Sequence, residues 1–172
     1  MNCKDRLYQV YKQLTIKDIR AHLQGRSYNG SDVIGVYPLL KNGTCRFLVF
    51  DFDNHEKGAE KKDFANTNEA WMEEVEAMRT ICSLNGIDPL VERSRSGRGA
   101  HLWIFFDKPI PAALARRFGF TLLEKGAEQV NLKSFKYYDR MLPAQDTFRK
   151  AVCNLIALPL QDRLYKKEQR FY

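Results

Sequence analysis

The sequence lacks the features that mark several large classes of protein. Its four cysteines (Cys3, Cys45, Cys82 and Cys153) are far apart and form no Cys-x-x-Cys pair, which argues against structural zinc and gives no disulfide framework. No apolar run reaches membrane-spanning length, and the N-terminus is not a signal peptide. No Walker A pattern, internal repeat or Gly/Ser-rich linker is present. We therefore expect a soluble cytoplasmic protein with no membrane partner.

What is present is the composition of one globular, basic domain. The chain has 172 residues, of which 44% are hydrophobic, and 28 Lys and Arg against 21 Asp and Glu give a net charge of +7. This length suits a single domain, and the positive excess favours polyanionic partners. We divide the domain into an N-terminal helical part (1–32), a core (33–161) and a basic tail (162–172).

Hydrophobic periodicity predicts an α+β fold. The predicted elements are helices within 4–24, a hairpin of 33–37 with 45–50, a helix over 66–84, strands at 90–94 and 101–106, a helix over 111–125 stopped by Gly126, and a last strand at 154–160. From the second hairpin strand onward the order is β-α-β-β-α-β, which is the RRM-like, or ferredoxin-like split βαβ, arrangement. We assign no element to residues 127–147. His22, in the first helical region, is expected to be structural or solvated rather than a ligand.

Two aspartates end the most apolar predicted strand. Asp51 and Asp53 close the run Phe47–Asp53, and residues two apart in a strand point to the same side. Two carboxylates held this close favour a hard cation such as Mg²⁺ or Mn²⁺ between them. Ordinary solvated carboxylates at the end of a strand are the alternative for so short a motif.

A glycine-rich turn precedes the strand at 101–106. Gly97 and Gly99 would let backbone N–H groups approach an anion, with Ser96, Arg98 and His101 as side-chain donors. This pattern favours a phosphate-binding turn. A tight basic hairpin with a solvated histidine is the alternative.

The predicted topology brings these motifs together. In the β-α-β-β-α-β order the third strand lies beside the first, so the start of the third strand (His101) meets the end of the first (Asp51 and Asp53). Asp146 leads into the predicted last strand, and we expect it at the same edge as a third carboxylate. A surface-loop aspartate is again the alternative.

The combined pattern resembles the three motifs of archaeo-eukaryotic primases. The matching phrases are Gly35–Leu40, Phe47–Asp53, Ser96–Trp103, Leu142–Asp146 and Asn154–Gln161. The resemblance is closest to the primase–polymerase domain of TOTE conflict systems and to related CRISPR-associated primase–polymerases. It implies an RRM-like core that makes or extends a primer from (d)NTPs on a single-stranded DNA template, with a helicase fused or encoded nearby.

The resemblance also implies residue roles. Asp51, Asp53 and Asp146 would be metal ligands for Mg²⁺ or Mn²⁺, and the catalytic set would be these three with His101. The residues that would contact the incoming nucleotide are Ser96, Gly97, Arg98, Gly99, His101 and Asn154. Cys153 stands where relatives usually have glycine, so a nucleic-acid-binding relative without efficient catalysis is a second hypothesis. A metal-dependent nuclease is a third.

Overall fold

The computed structural model describes residues 13–27, 31–54, 70–94, 97–129, 135–148 and 155–161 of the chain. Within these residues it is a mixed α/β structure with three helices and two antiparallel sheets. The elements are α1 (Ile16–Gln24), β1 (Gly35–Val36), β2 (Thr44–Asp53), α2 (Ala70–Leu84), β3 (Leu90–Arg93), β4 (Gly99–Pro111), α3 (Ala112–Gln129), β5 (Tyr138–Leu142) and β6 (Ile156–Ala157). No helix in the described part is both long and apolar enough to cross a membrane.

The larger sheet has the strand order β3-β4-β2-β5, and each neighbouring pair is antiparallel. The predicted placement of the third strand of the series beside the first is thereby confirmed. Strands β2 and β4 pair from Thr44 opposite Pro111 to Asp53 opposite Gly99. The end of β2 therefore meets the start of β4, and this edge of the sheet carries Asp51, Asp53 and His101.

The identity of the fourth strand was predicted wrongly. The outer strand beside β2 is β5, which lies in the stretch to which the sequence analysis assigned no element. Of the predicted last strand, the described residues form only the two-residue β6, which pairs with β1 in a small second sheet. The hairpin of β1 with β2 is therefore also wrong. A turn at Asn42 and Gly43, with Gly43 at φ 78°, does precede β2. Pro38, which has no N–H for a ladder, separates β1 from this turn.

Helices α2 and α3 pack together on one side of the larger sheet. Trp71, Val75 and Met78 of α2 are all buried at the helical spacing that the sequence shows. The predicted end of helix α3 at Gly126 is wrong, because the helix continues to Gln129. A Cβ at Gly126 would lie only 3.1 Å from Met78 Sδ, so this glycine serves close packing of α3 rather than its termination.

The two faces of β2 have different roles. Leu48, Phe50 and Phe52 are fully buried in the core on the helix side. Val49 lies on the opposite side, in a second cluster with Trp103, Leu142 and Ile156 under the small sheet. Because side chains alternate along a strand, Asp51 and Asp53 continue the Val49 side toward the end of β2.

His22 fastens α1 to the small sheet. Its Nδ1 accepts a hydrogen bond from the backbone N–H of Ile34 at 3.2 Å, and its Nε2 lies 2.9 Å from the carbonyl oxygen of Pro159. Since Nδ1 accepts, Nε2 carries the proton and donates it to Pro159. The imidazole is buried, and the expected structural role of His22 is confirmed.

Candidate functional site

A row of four polar side chains crosses the larger sheet, with one residue from each strand. Glu92 on β3 stands opposite His101 on β4. His101 stands opposite Asp51 on β2, which in turn stands opposite Arg140 on β5. Direct cross-strand partners project on the same face of a sheet. The row therefore reads acid, imidazole, acid and guanidinium across one face.

Asp51 is held between two nitrogen-bearing side chains. Its Oδ1 lies 3.5 Å from His101 Nε2, and its Oδ2 accepts a hydrogen bond from Arg140 Nε at 3.1 Å. Burial raises the pKa of Asp51, while His101 and Arg140 act to lower it, and burial is the larger effect. Burial is thus the dominant influence on the protonation of this carboxyl group.

Asp53 follows two residues after Asp51 on the same face. Its backbone is held in place by hydrogen bonds that lead, through the segment before β5, to Glu74 on α2. The N–H of Asp53 donates to the carbonyl oxygen of Tyr137 at 2.8 Å. Buried Glu74 of α2 accepts hydrogen bonds from the N–H groups of Tyr137, at 2.9 Å, and Lys136, at 2.5 Å. Glu74 therefore anchors the segment that enters β5, and this segment in turn holds the end of β2.

The described residues form a tight turn between β3 and β4, which fits both the predicted phosphate-binding turn and its alternative, a tight basic hairpin. The N–H of Ser94 donates to the carbonyl oxygen of Gly99, and the N–H of Gly97 donates to that of Ser94, both at 2.8 Å. Gly97 has φ 75°, a conformation that favours glycine. A Cβ on Gly99 would overlap the backbone oxygen of Phe52. Both glycines are thus required by backbone geometry.

The described part of the turn is joined to β2. The carbonyl oxygen of Arg98 accepts a hydrogen bond from the backbone N–H of Asn54, the residue after β2, at 3.0 Å. Arg93 Nε donates a hydrogen bond to the carbonyl oxygen of Gly97 at 3.0 Å. Ser96 and Asn154, both predicted to contact the nucleotide, lie outside the described residues.

Glu92 is a site residue that the sequence analysis missed. Its Oε2 accepts a hydrogen bond from Trp103 Nε1–H at 3.1 Å and lies 3.2 Å from His101 Nδ1. One carboxylate oxygen thus contacts two consecutive side chains on the site face of β4. Counting outward from the glycine-rich turn pairs residue 92 with residue 101, and this count would have identified Glu92.

Asp146 does not join the pair of aspartates, and its expected position at this edge is wrong. Its carboxylate lies 3.2 Å from Arg116 Nη1 on α3. Its carbonyl oxygen lies 3.8 Å from the position of a Cβ on Gly43, just before β2 begins. At ~3.3 Å per strand residue, Asp51 is roughly 25 Å farther along β2. Because β5 precedes Asp146 in the chain, the aspartate emerges at the opposite end of the sheet.

Asp139 lies where the third carboxylate was expected. It belongs to β5, and its Oδ2 is 3.7 Å from the same Arg140 Nε that contacts Asp51. The two carboxylates therefore lie within about 7 Å of each other, and Asp139 contributes to raising the pKa of Asp51. The only signal for Asp139 in the sequence is the short apolar run that follows it, and this run was too short to be assigned as a strand.

The carboxylates suit a cation whose coordination shell is completed by oxygen atoms of water or substrate. Among the described residues, no three His, Cys, Asp or Glu side chains are arranged to hold an ion by themselves. Mg²⁺ commonly keeps several waters and binds one or two carboxylates together with substrate phosphates. Asp51 and Asp53, both hard oxygen donors on one face, fit that mode of binding.

Comparison with known proteins finds a family that matches this chain. The family model for the archaeo-eukaryotic primase domain of TOTE conflict systems matches residues 1–172. No curated protein gave a significant match.

Proposed function

Because the chain belongs to the archaeo-eukaryotic primase family of TOTE conflict systems, we propose that it is a metal-dependent primase–polymerase. The family is one of primase-type nucleotidyltransferases. The proposed reaction is template-directed synthesis or extension of a primer from (d)NTPs on single-stranded DNA, carried out on an RRM-like core.

One observation carries the proposal. Asp51 and Asp53 end the central strand β2, and the tight turn at 97–99 and His101 meet them at the same edge of the sheet. Carboxylates for a cation and a glycine turn for phosphate are what a nucleoside triphosphate requires. A solvated strand end would not bury Asp51 between His101 and Arg140.

In this proposal the chain supplies position and charge rather than acid–base chemistry. Asp51 and Asp53 would hold Mg²⁺ or Mn²⁺, and such an ion would supply polarisation of phosphate oxygens and neutralisation of developing charge. The doubly protonated ring of His101, with Nδ1–H directed at Glu92, would donate a hydrogen bond from Nε2 to a phosphate oxygen. Gly97 has no side chain that could block the approach of the triphosphate. The rigid β-sheet keeps these groups aligned with the primer end.

We assign the third carboxylate to Asp139 instead of Asp146. Two-metal sites hold their ions about 4 Å apart, and carboxylates flank the ions on either side. A separation within about 7 Å between Asp51 and Asp139 is compatible with such flanking ligands. Asp146, at the far end of β2, is not.

The test is a primer-synthesis assay with the full chain. Single-stranded DNA, labelled NTPs or dNTPs and Mn²⁺ or Mg²⁺ are incubated with the wild type and with Asp51→Asn and Asp53→Asn variants. We expect template-dependent products that fall by about 100-fold or more in either variant, since each removes a charge from the cation site. Products that persist undiminished in both variants would refute the assignment.

A matched pair of variants tests the third carboxylate. Asp139→Asn should lower synthesis by about tenfold or more, because it removes one anionic ligand. Asp146→Asn removes the same charge at the other end of the sheet and should leave the rate within about twofold of wild type. The opposite ranking of the two variants would restore Asp146 to the site.

A second candidate is a nucleic-acid-binding relative without efficient catalysis. One observation favours it: both oxygens of Asp51 already contact His101 and Arg140. The resemblance adds that Cys153 stands where relatives usually have a glycine, in the segment after the third motif. Binding of single-stranded DNA with no synthesis under either metal would select this candidate. Shortening of the template, abolished in Asp51→Asn, would instead indicate a nuclease.

A further inference from the structure

Arg140 contacts both carboxylates that flank the proposed cation site. Its Nε lies 3.1 Å from Asp51 Oδ2 and 3.7 Å from Asp139 Oδ2. We propose that the Arg140 guanidinium is an internal counter-cation, which a divalent metal must displace from between Asp51 and Asp139, and which thereby weakens metal binding in the absence of nucleotide. This inference rests on the proposed function, because it presupposes that these carboxylates receive a metal.

The register of the sheet sets this position. Arg140 is the direct partner of Asp51 in the pairing of β2 with β5, so its side chain starts on the face that carries the carboxylates. The pairing becomes irregular just past this point, between Asp51 and Phe52. Asp139 is the residue displaced by that bulge, and this brings a second carboxylate toward the same guanidinium.

The electrostatics favour a cation here in every state of the site. Two carboxylates within about 7 Å repel each other, and a positive charge between them relieves this repulsion. Burial raises the pKa of Asp51, and the charge of Arg140 opposes that rise. Loss of Arg140 would leave the carboxylates with more uncompensated negative charge, and an incoming divalent ion would then no longer compete with the guanidinium, although His101 would still lie 3.5 Å from Asp51 Oδ1.

The exposure of Arg140 makes displacement possible. Its side chain is 45% exposed, whereas that of Asp51 is 11% exposed. The guanidinium can therefore rotate into water while the carboxylate stays in place. Once displaced, the same planar group would lie beside the bound triphosphate, where it could donate to phosphate oxygens in bidentate fashion. In a salt bridge with a purely structural role, the guanidinium would stay on Asp51 when metal and nucleotide bind.

The test measures metal binding by the full chain without nucleotide or template. Mn²⁺ is titrated into wild type, Arg140→Met and Arg79→Met, and the free ion is followed by electron paramagnetic resonance. Arg79 is a matched control, because its side chain is 40% exposed and pairs with Glu76 on the surface of α2. We expect Arg140→Met to lower the dissociation constant by about tenfold, since it removes a charge in direct contact with Asp51. Arg79→Met should stay within about twofold of wild type.

Two further variants keep the result interpretable. Arg140→Lys retains the positive charge and should bind Mn²⁺ within about threefold of wild type, and Arg140→Gln replaces Arg140→Met if the latter does not melt cooperatively. An unchanged or weaker affinity on removing the Arg140 charge would overturn the inference. If wild-type binding is lost in Asp51→Asn but is unaffected by Arg140→Met, only this inference fails. If no variant binds Mn²⁺ in an Asp51-dependent way, the proposed metal site fails with it.

Discussion

Replacement of Glu92 tests whether its carboxylate holds His101 and Trp103 in place. Both contacts end on one oxygen, Oε2, with the imidazole Nδ1 at 3.2 Å and the indole Nε1 at 3.1 Å. Glutamine keeps one carbonyl oxygen and can serve both donors, whereas methionine has a similar length and offers no comparable acceptor. We therefore expect Glu92→Gln to be tolerated and Glu92→Met to be destabilising.

The burial of the two donors sets the size of the effect. Trp103 is 3% exposed and the His101 side chain is 12% exposed, so water cannot fully replace the lost acceptor. A buried donor left without an acceptor costs about 1–3 kcal/mol. Glu92→Met should therefore lower the free energy of unfolding by about 2–4 kcal/mol, and Glu92→Gln by less than about 1 kcal/mol. At ~2–4 °C per kcal/mol, the methionine variant should melt roughly 4–16 °C lower.

Urea unfolding followed by tryptophan fluorescence measures this directly, because Trp103 is one of the two tryptophans in the chain. Glu76→Met is the control, since the Glu76 side chain is 66% exposed and its loss should change stability by no more than about 0.5 kcal/mol. If Glu92 positions His101, the KM for nucleotide should rise in Glu92→Met and recover in Glu92→Gln. Equal unfolding midpoints for these two variants would refute the reasoning.

Three further expectations follow from single contacts. Gly99→Ala should lower the free energy of unfolding by about 2 kcal/mol or more, because its Cβ would overlap the backbone oxygen of Phe52; a thermal melt equal to wild type would contradict this. Burial raises the pKa of Glu74, so the stability from this group is full at low pH and is lost as pH rises through the raised pKa. Between about pH 4.5 and pH 7, the urea midpoint should thus fall less steeply for Glu74→Gln than for wild type. The same pH dependence of the midpoint in both proteins would contradict this role of Glu74. Burial also raises the pKa of Cys45 and of Cys82 to about 11; peptide mass spectrometry at pH 8 should find both alkylated only after denaturation, and rapid labelling of the native protein would argue against their burial.

The parts of the fold that the sequence predicted correctly are those set by local pattern. Strand β2 follows from its apolar run, α2 from its helical spacing, and the turn before β4 from its glycines. The topology rule for a β-α-β-β-α-β order then sufficed to place His101 beside Asp51. These inferences needed only the pattern of residues close together in the sequence and the general rule for how β-α-β units connect.

The errors concern pairings between distant segments. Residues 33–37 and 154–160 both have strand composition. The sequence pattern pairs 33–37 with 45–50 in a hairpin and makes 154–160 the last strand of the β-α-β-β-α-β series. In the structure, β1 and β6 pair with each other across more than a hundred residues, while the shorter β5 completes the larger sheet. Composition cannot decide between such partners, because it does not encode which edges of a sheet remain open. The misplacement of Asp146 follows entirely from this exchange of strands.

The position of Asp139 shows how a small irregularity decides the composition of the site. In a regular strand Asp139 would alternate with Arg140 and face the helices, where the core is apolar. The bulge that separates the Asp51–Arg140 and Phe52–Tyr138 pairs takes Asp139 out of that alternation. Tyr138 then occupies the core side, packing edge-on against Phe52, and Asp139 remains within reach of Arg140. Any substitution that restored regular pairing here would move Asp139 away from Asp51 while leaving Asp51 and His101 in register.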